Sequence, residues 1–199
     1  MPRGCPAGIR DHRVPCIYSA MQIYLIRHTP VNVPRGICYG QTDVLPAGTF
    51  EKDALQVKKD LNGYSPQVVY SSPARRCILL AHKLFDSKII TDDRLPELNF
   101  GDWEMRSWDA IRGEYAEQWM NDFINVKCPN GESFKKLITR VKSFYGELLQ
   151  QQWDQVAIVT HSGVIRSFMV ITGRIELKNA FSVDIPYGSV WQLQGNHDL

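Results

Sequence analysis

The chain has 199 residues, with 23 lysines and arginines against 21 aspartates and glutamates, and a formal net charge of +2. At 44% hydrophobic and 22% charged residues it has the composition of an ordinary globular protein of one domain or two small ones. So small a charge excludes the basic stripe of a nucleic-acid binder, and no run approaches the roughly 18 apolar residues of a membrane-spanning helix.

The charge is unevenly placed. Residues 1–20 hold Arg3, Arg10 and Arg13 against Asp11, so the whole excess lies there and residues 21–199 are neutral overall. The same stretch carries three prolines and two cysteines, with neither the apolar run of a secretory signal nor the serines of a transit peptide. We expect a disordered N-terminal extension over 1–20, from an upstream start or an expression remnant, followed by one domain over 21–199. Cys38, Cys77 and Cys128 show no CxxC or Cys/His spacing. Neither a metal site nor a disulfide framework is therefore expected, and a reducing cytoplasm is the default.

In chain order, Gln22 to Arg27 is a β-branched and aromatic run that predicts a buried strand. After a Gly/Pro-marked loop, Phe50, Ala54, Val57 and Leu61 recur at helical spacing until Asn62-Gly63 stops the helix. Gln67 to Ser71 predicts a second strand, and Ser72-Pro73 a helix start, with serine as N-cap and proline at the first helical position. Lys88 to Thr91 is a third, short strand. Helical segments follow with Trp108, Ile111, Tyr115, Trp119 and Phe123, then the strongest helix, Phe134 to Leu149. Gln155 to Thr160, a helix from Gly163 to Ile171, and a strand in Ser189 to Leu193 complete the order. Strands alternating with helices predict an α/β fold, a three-layer α/β/α sandwich with a mostly parallel sheet.

In such sheets ligands sit beyond the carboxyl ends of the strands. There the first strand ends in Arg27-His28, the second runs toward Arg76, and the fourth ends in His161-Ser162-Gly163. Arg76 lies at the rim of the apolar stripe of its helix and Arg75 on the opposite side, which favours Arg76 as the inward group. Guanidinium groups bind phosphate oxygens bidentately. A histidine between two such cations resists protonation and stays nucleophilic, which suits phosphoryl transfer through a phosphohistidine. Glu97, just past the third strand, is the best-placed carboxylate to protonate a leaving oxygen, provided burial or the incoming phosphate keeps its proton on.

Four stretches resemble the histidine phosphatase (phosphoglycerate mutase-like) superfamily, in its order: Arg27-His28-Thr29-Pro30, Ser72 through Cys77, Glu97 through Glu104, and Thr160 through Arg166. In the second, Ala74 and Cys77 depart conservatively from the motif. Cys38 to Asp43, Leu95 to Glu97 with Phe100 to Met105, and Asn130 to Phe134 are similar to the α-ribazole phosphatase branch. The resemblance implies a cofactor-free, metal-independent hydrolysis of a small-molecule phosphate ester. His28 would be the nucleophile, Glu97 the acid and base, and Arg27, Arg76 and His161 the groups holding the phosphoryl oxygens. The family's asparagine six residues after the histidine is Pro34 here, and Asn32 or Gln41 stands as its replacement. Tyr39, Gln41, Asn32 and Trp103 are the candidates for contact with the rest of the substrate.

Taken singly, His28 and His161 are ordinary structural histidines; only the combination in motif order carries the chemistry. Phe100, Trp103, Trp108 and Trp119 offer rings for stacking on a base, against a core role that suits Trp119 best. Lys135, Lys136, Arg140 and Lys142 read as the wet face of an amphipathic helix, and Arg166 as a support behind the site. There is no P-loop, no GxSxG elbow and no cysteine followed by five residues and an arginine. The competing expectations are a broad small-ester phosphatase, a mutase-like enzyme and a non-catalytic phosphate-binding scaffold. Neither nucleic acid nor membrane is expected as a partner.

Overall fold

The computed structural model describes residues 20–195. The expected N-terminal extension, apart from Ala20, lies outside the described residues. Ten regular elements alternate: β1 (Met21–Arg27), α1 (Phe50–Asp60), β2 (Val68–Ser71), α2 (Arg75–Leu84), β3 (Ile89–Thr91), α3 (Glu114–Asn121), α4 (Phe134–Leu149), β4 (Gln155–Thr160), α5 (Ser162–Ile171) and β5 (Val190–Gly195). The strand order is β3-β2-β4-β1-β5. Only β5 runs antiparallel, against β1. No helix among the described residues is long and apolar enough to cross a membrane.

The central strand β4 shows why the sheet is covered on both sides. Side chains alternate across a strand. Val156 and Ile158 enter one core with Leu137, Val141 and Phe168, while Ala157 and Val159 enter the other with Ala54, Val57 and Leu80. Helices α4 and α5 therefore cover one face and α1 and α2 the other, in the predicted three layers. The α4 stripe buries Phe134, Leu137, Val141, Phe144, Tyr145, Leu148 and Leu149. Each stabilises the fold by about 1.5–3 kcal/mol relative to exposure.

One sequence expectation fails for an identifiable reason. Helix α2 begins at Arg75 with Ala74 as its cap, so Ser72-Pro73 is not the helix start. The Ser72 amide still continues the β2 ladder, donating to Val159 O. Its hydroxyl faces His161 at 2.8 Å, leaving only a 3.4 Å approach from the Ala74 N–H. Ser72 therefore supplies no helix-terminal amides to an anion. The helical segments expected from Trp108 onward are present as a 3-10 turn (Trp108–Ala110) and the short α3, separated at Gly113 with φ +100°, with Phe123 just past the end of α3.

Candidate active site

The parallel register sets the site. Arg27 on β1 is level with Thr160 on β4, and Ser71 on β2 with Val159, so His28, Ser72 and His161 emerge side by side. The His28 amide donates to Thr160 O, and the Arg27 amide to Ser189 O just before β5. The sequence-predicted His28, Arg76 and His161 are brought together and are 1%, 0% and 0% exposed. The two imidazoles meet edge to face, with centroids 5.1 Å apart.

His28 Nδ1 lies 2.8 Å from the Thr29 carbonyl, which accepts only if that nitrogen carries the hydrogen. Nε2 is thereby left with its lone pair free. Burial, then the Arg76 charge, then Arg27 hold the imidazole well below its ordinary range, against the Thr29 carbonyl, which pulls the other way. His161 is also held well below its ordinary range, by burial first and the Arg76 cation second. Its Nε2 faces Ser72 Oγ at 2.8 Å, and Arg76 Nη2 approaches Nδ1 at 3.4 Å. Nδ1 facing a permanent donor assigns the hydrogen to Nε2.

The two depressed histidines carry a stability prediction. In the unfolded chain each takes up a proton as the pH falls through about 6.5, while the folded protein does not. The unfolded state then binds more protons, and each histidine lowers folding stability by about 1.4 kcal/mol per pH unit below that point. The loss continues until the folded-state value is reached. Denaturant titrations from about pH 7.5 to about pH 5 on the parent and a His28→Asn variant isolate one histidine: the variant should lose stability less steeply.

Arg76 is a buried cation with no carboxylate on it. Nη2 donates to Gly40 O at 2.7 Å and Nη1 to Thr42 O at 2.9 Å. Arg75 points outward and pairs with Asp43 at 2.6 Å, as its helical phase predicts. Arg27 donates through Nη1 to Ile185 O and lies 3.8 Å above the Tyr187 ring. Arg27 Nε, Arg76 Nε and Thr29 Oγ1 are buried polar atoms without a hydrogen-bond partner.

Glu97 sits at the start of α5. Its carboxylate accepts from the Gly163 amide at 3.0 Å, from Ser162 Oγ at 3.1 Å and from the Leu98 amide at 3.0 Å. A Cβ at position 163 would overlap Glu97 Oε1, so only glycine lets the carboxylate this close. The Glu97 carbonyl accepts from Gln41 Nε2 and from Arg140 Nη2, each at 2.9 Å.

Arg140 corrects the wet-face reading of α4: it is half-buried, paired to Glu132 at 2.7 Å, and also donates to Arg94 O. Glu104 ties two loops together, accepting from the Gln41, Thr42 and Phe100 amides. Gln41 thus braces the Glu97 backbone. Asn32 is exposed, with its amide N–H bonded to Leu45 O and no side-chain bond into the site. Trp103 is 6% exposed and packs on Trp119 and Tyr115 in a core aromatic cluster, which is not the expected stacking surface. Arg166 donates to Val183 O and lies over Phe181.

Tyr39 and Tyr187 form the mouth. Their hydroxyls are 2.8 Å apart, and their rings lie 6.4 and 5.5 Å from the His28 ring. Sequence reasoning proposed Tyr39 but missed Tyr187. Its only local signal is the Pro186-Tyr187-Gly188 turn before the last strand.

The sequence profile described as the histidine phosphatase superfamily (branch 1) matches residues 23–198. The adenosylcobalamin/alpha-ribazole phosphatase of Salmonella typhimurium is 32% identical over 157 residues, covering 73% of this chain and 76% of that protein. A putative phosphoserine phosphatase 2 of Hydrogenobacter thermophilus is 23% identical over 86% of this chain and 88% of its own length. The solved alpha-ribazole phosphatase from Shigella flexneri superposes with a TM-score of 0.81 at 24% identity, covering 89% of this chain and 92% of that one. Fold and kinship together define a phosphoric monoester hydrolase. The chain belongs to the histidine phosphatase superfamily, branch 1.

Proposed function

We propose that the chain hydrolyses its ester through a phosphohistidine on His28, and that the ester is α-ribazole 5′-phosphate or its cobalamin-attached form. His28 Nε2 attacks phosphorus, the bond to the ester oxygen breaks, and the departing alcohol takes a proton from the Glu97 carboxyl. Glu97, now a carboxylate, removes a proton from water as that water attacks the phosphohistidine. Inorganic phosphate leaves and Nε2 is regenerated. Arg27, Arg76 and His161 hold the phosphoryl oxygens in both steps.

The observation that carries this reading is the His28 Nδ1 bond to Thr29 O, which directs the free lone pair to Nε2 between two arginines. The unpaired Arg27 Nε and Arg76 Nε supply donors for anionic oxygens. For the substrate, the support is two relatives at 30% and 32% identity, both named adenosylcobalamin/alpha-ribazole phosphatase. Free thiols at Cys38, Cys77 and Cys128 support a reducing, cytoplasmic setting.

The test is a ranking of kcat/KM over α-ribazole 5′-phosphate, phosphoserine, 3-phosphoglycerate and an aryl phosphate. We expect α-ribazole 5′-phosphate to lead by about 100-fold or more. Turnover no faster than that of the aryl ester would sink this substrate and favour a broad phosphatase. Isomerisation of 3-phosphoglycerate without phosphate release would favour a mutase.

A further inference from the structure

Beside the mouth lies a groove of about 380 Å³, walled by Val31, Val33, Pro34, Ile37, Tyr39 and Tyr187. Its volume falls in the range of roughly 300–1,000 Å³ in which small-molecule sites lie. Arg35, exposed on the rim, is the one charged residue lining it, and no carboxylate does. The wall is built rather than loose. Val31 bridges to Pro46 and Ile37 to Ser107, the Asn32 amide donates to Leu45 O, and the Trp108 amide donates to Gly36 O, each amide at 2.9 Å. Gly36, at φ +85°, takes the left-handed turn that folds Pro34–Ile37 back on itself.

Two residues belong to both places. Tyr39 and Tyr187 wall the groove and also stand over His28, with Arg27 stacked on Tyr187 and Arg76 lying 5.3 Å from the Tyr39 ring centroid. An ester whose phosphate reaches His28 therefore has its alcohol half beside these rings, next to the groove. Pro34 adds a ring to the wall.

We infer that this groove selects the leaving alcohol, taking a flat, apolar or aromatic group and rejecting a small alcohol that carries an ammonium. The inference rests on the phosphomonoesterase reading above and deepens it. An ammonium entering the groove loses water and meets no anion, an uncompensated cost. A flat ring gains apolar contact with the valines, Pro34 and Ile37, and stacks on the tyrosines.

The experiment compares 2-phenylethyl phosphate with O-phosphoethanolamine. Both are esters of primary alcohols, and the ammonium makes the O-phosphoethanolamine alcohol the better leaving group, so a preference for the phenyl ester reports binding rather than leaving-group chemistry. The parent should prefer the phenyl ester by about 100-fold in kcat/KM. Val33→Asp places a carboxylate in the wall and should lower that ratio at least about tenfold, through KM more than kcat. Ile37→Ser should lower it less, and Val33→Ile should keep it. A parent ratio near one, or a ratio that neither Val33→Asp nor Ile37→Ser moves, overturns the assignment of the groove. Failure to hydrolyse either ester, or α-ribazole 5′-phosphate, would bring down the phosphatase reading and this inference with it.

Discussion

Replacing His28 with alanine should lower kcat by at least about 10⁴-fold, because the proposed nucleophile is removed and no neighbouring group takes its place. His161 is the other imidazole within reach, but its Nε2 carries the hydrogen and its Nδ1 faces the Arg76 guanidinium, so it can donate to a phosphoryl oxygen but has no lone pair free to attack phosphorus. Truncation removes a ring that is 1% exposed, so the variant's melting temperature should be recorded alongside its rate. A folded and inactive variant locates the loss in the chemistry. A denaturing quench in base should yield a base-stable, acid-labile phosphoenzyme from the parent and none from His28→Ala. Hydrolysis that persists in His28→Ala would falsify the covalent route.

Arg76→Met should lower kcat/KM by about 10³-fold, the scale seen when a guanidinium stabilising a phosphoryl transition state is lost. The stability effect should be much smaller. Arg76 is fully buried without a carboxylate partner, so its removal relieves a desolvated charge even as Gly40 O and Thr42 O lose their donors. Methionine fills a similar volume, and the two effects should offset to within about 4 °C in Tm. Inorganic phosphate adds a second measure. Anything that binds only the folded state raises Tm by linkage. Phosphate should therefore stabilise the parent and leave Arg76→Met unmoved. Arg76→Lys should not restore activity, since one ammonium cannot span both carbonyls and a phosphoryl oxygen. Equal phosphate stabilisation of parent and Arg76→Met would remove Arg76 from the clamp.

The parts of the site that the sequence displayed are those fixed by local periodicity and parallel register. His28 and His161 end strands whose apolar runs are unmistakable, and Arg76 is told from Arg75 by helical phase alone. The sequence could not display partners set by distant packing. Arg140 has the spacing of a solvent-facing residue, yet Glu132 and the Glu97 carbonyl draw it inward. Ser72 has the form of a helix cap, yet its hydroxyl goes to a histidine 89 residues away. Trp103 sits six positions from Glu97 and turns into the core, because α3 brings Trp119 and Tyr115 against it. Tyr187 reaches the mouth only because β5 returns along β1 in the opposite sense.

That reversed strand divides the labour within the protein. The residues proposed to handle phosphorus follow strands leaving the sheet, so their placement is tied to the crossovers that build both cores. Tyr187 precedes a strand joining the sheet at its rim, in a turn whose Gly188 amide is bonded to the His28 carbonyl. Substitutions from Pro186 to Ser189 can reshape the doorway without rebuilding a crossover. One scaffold can thus be retuned toward new alcohols while its reaction stays the same. The Gly188 bond marks the limit of that freedom, because a turn that slips carries the His28 backbone with it.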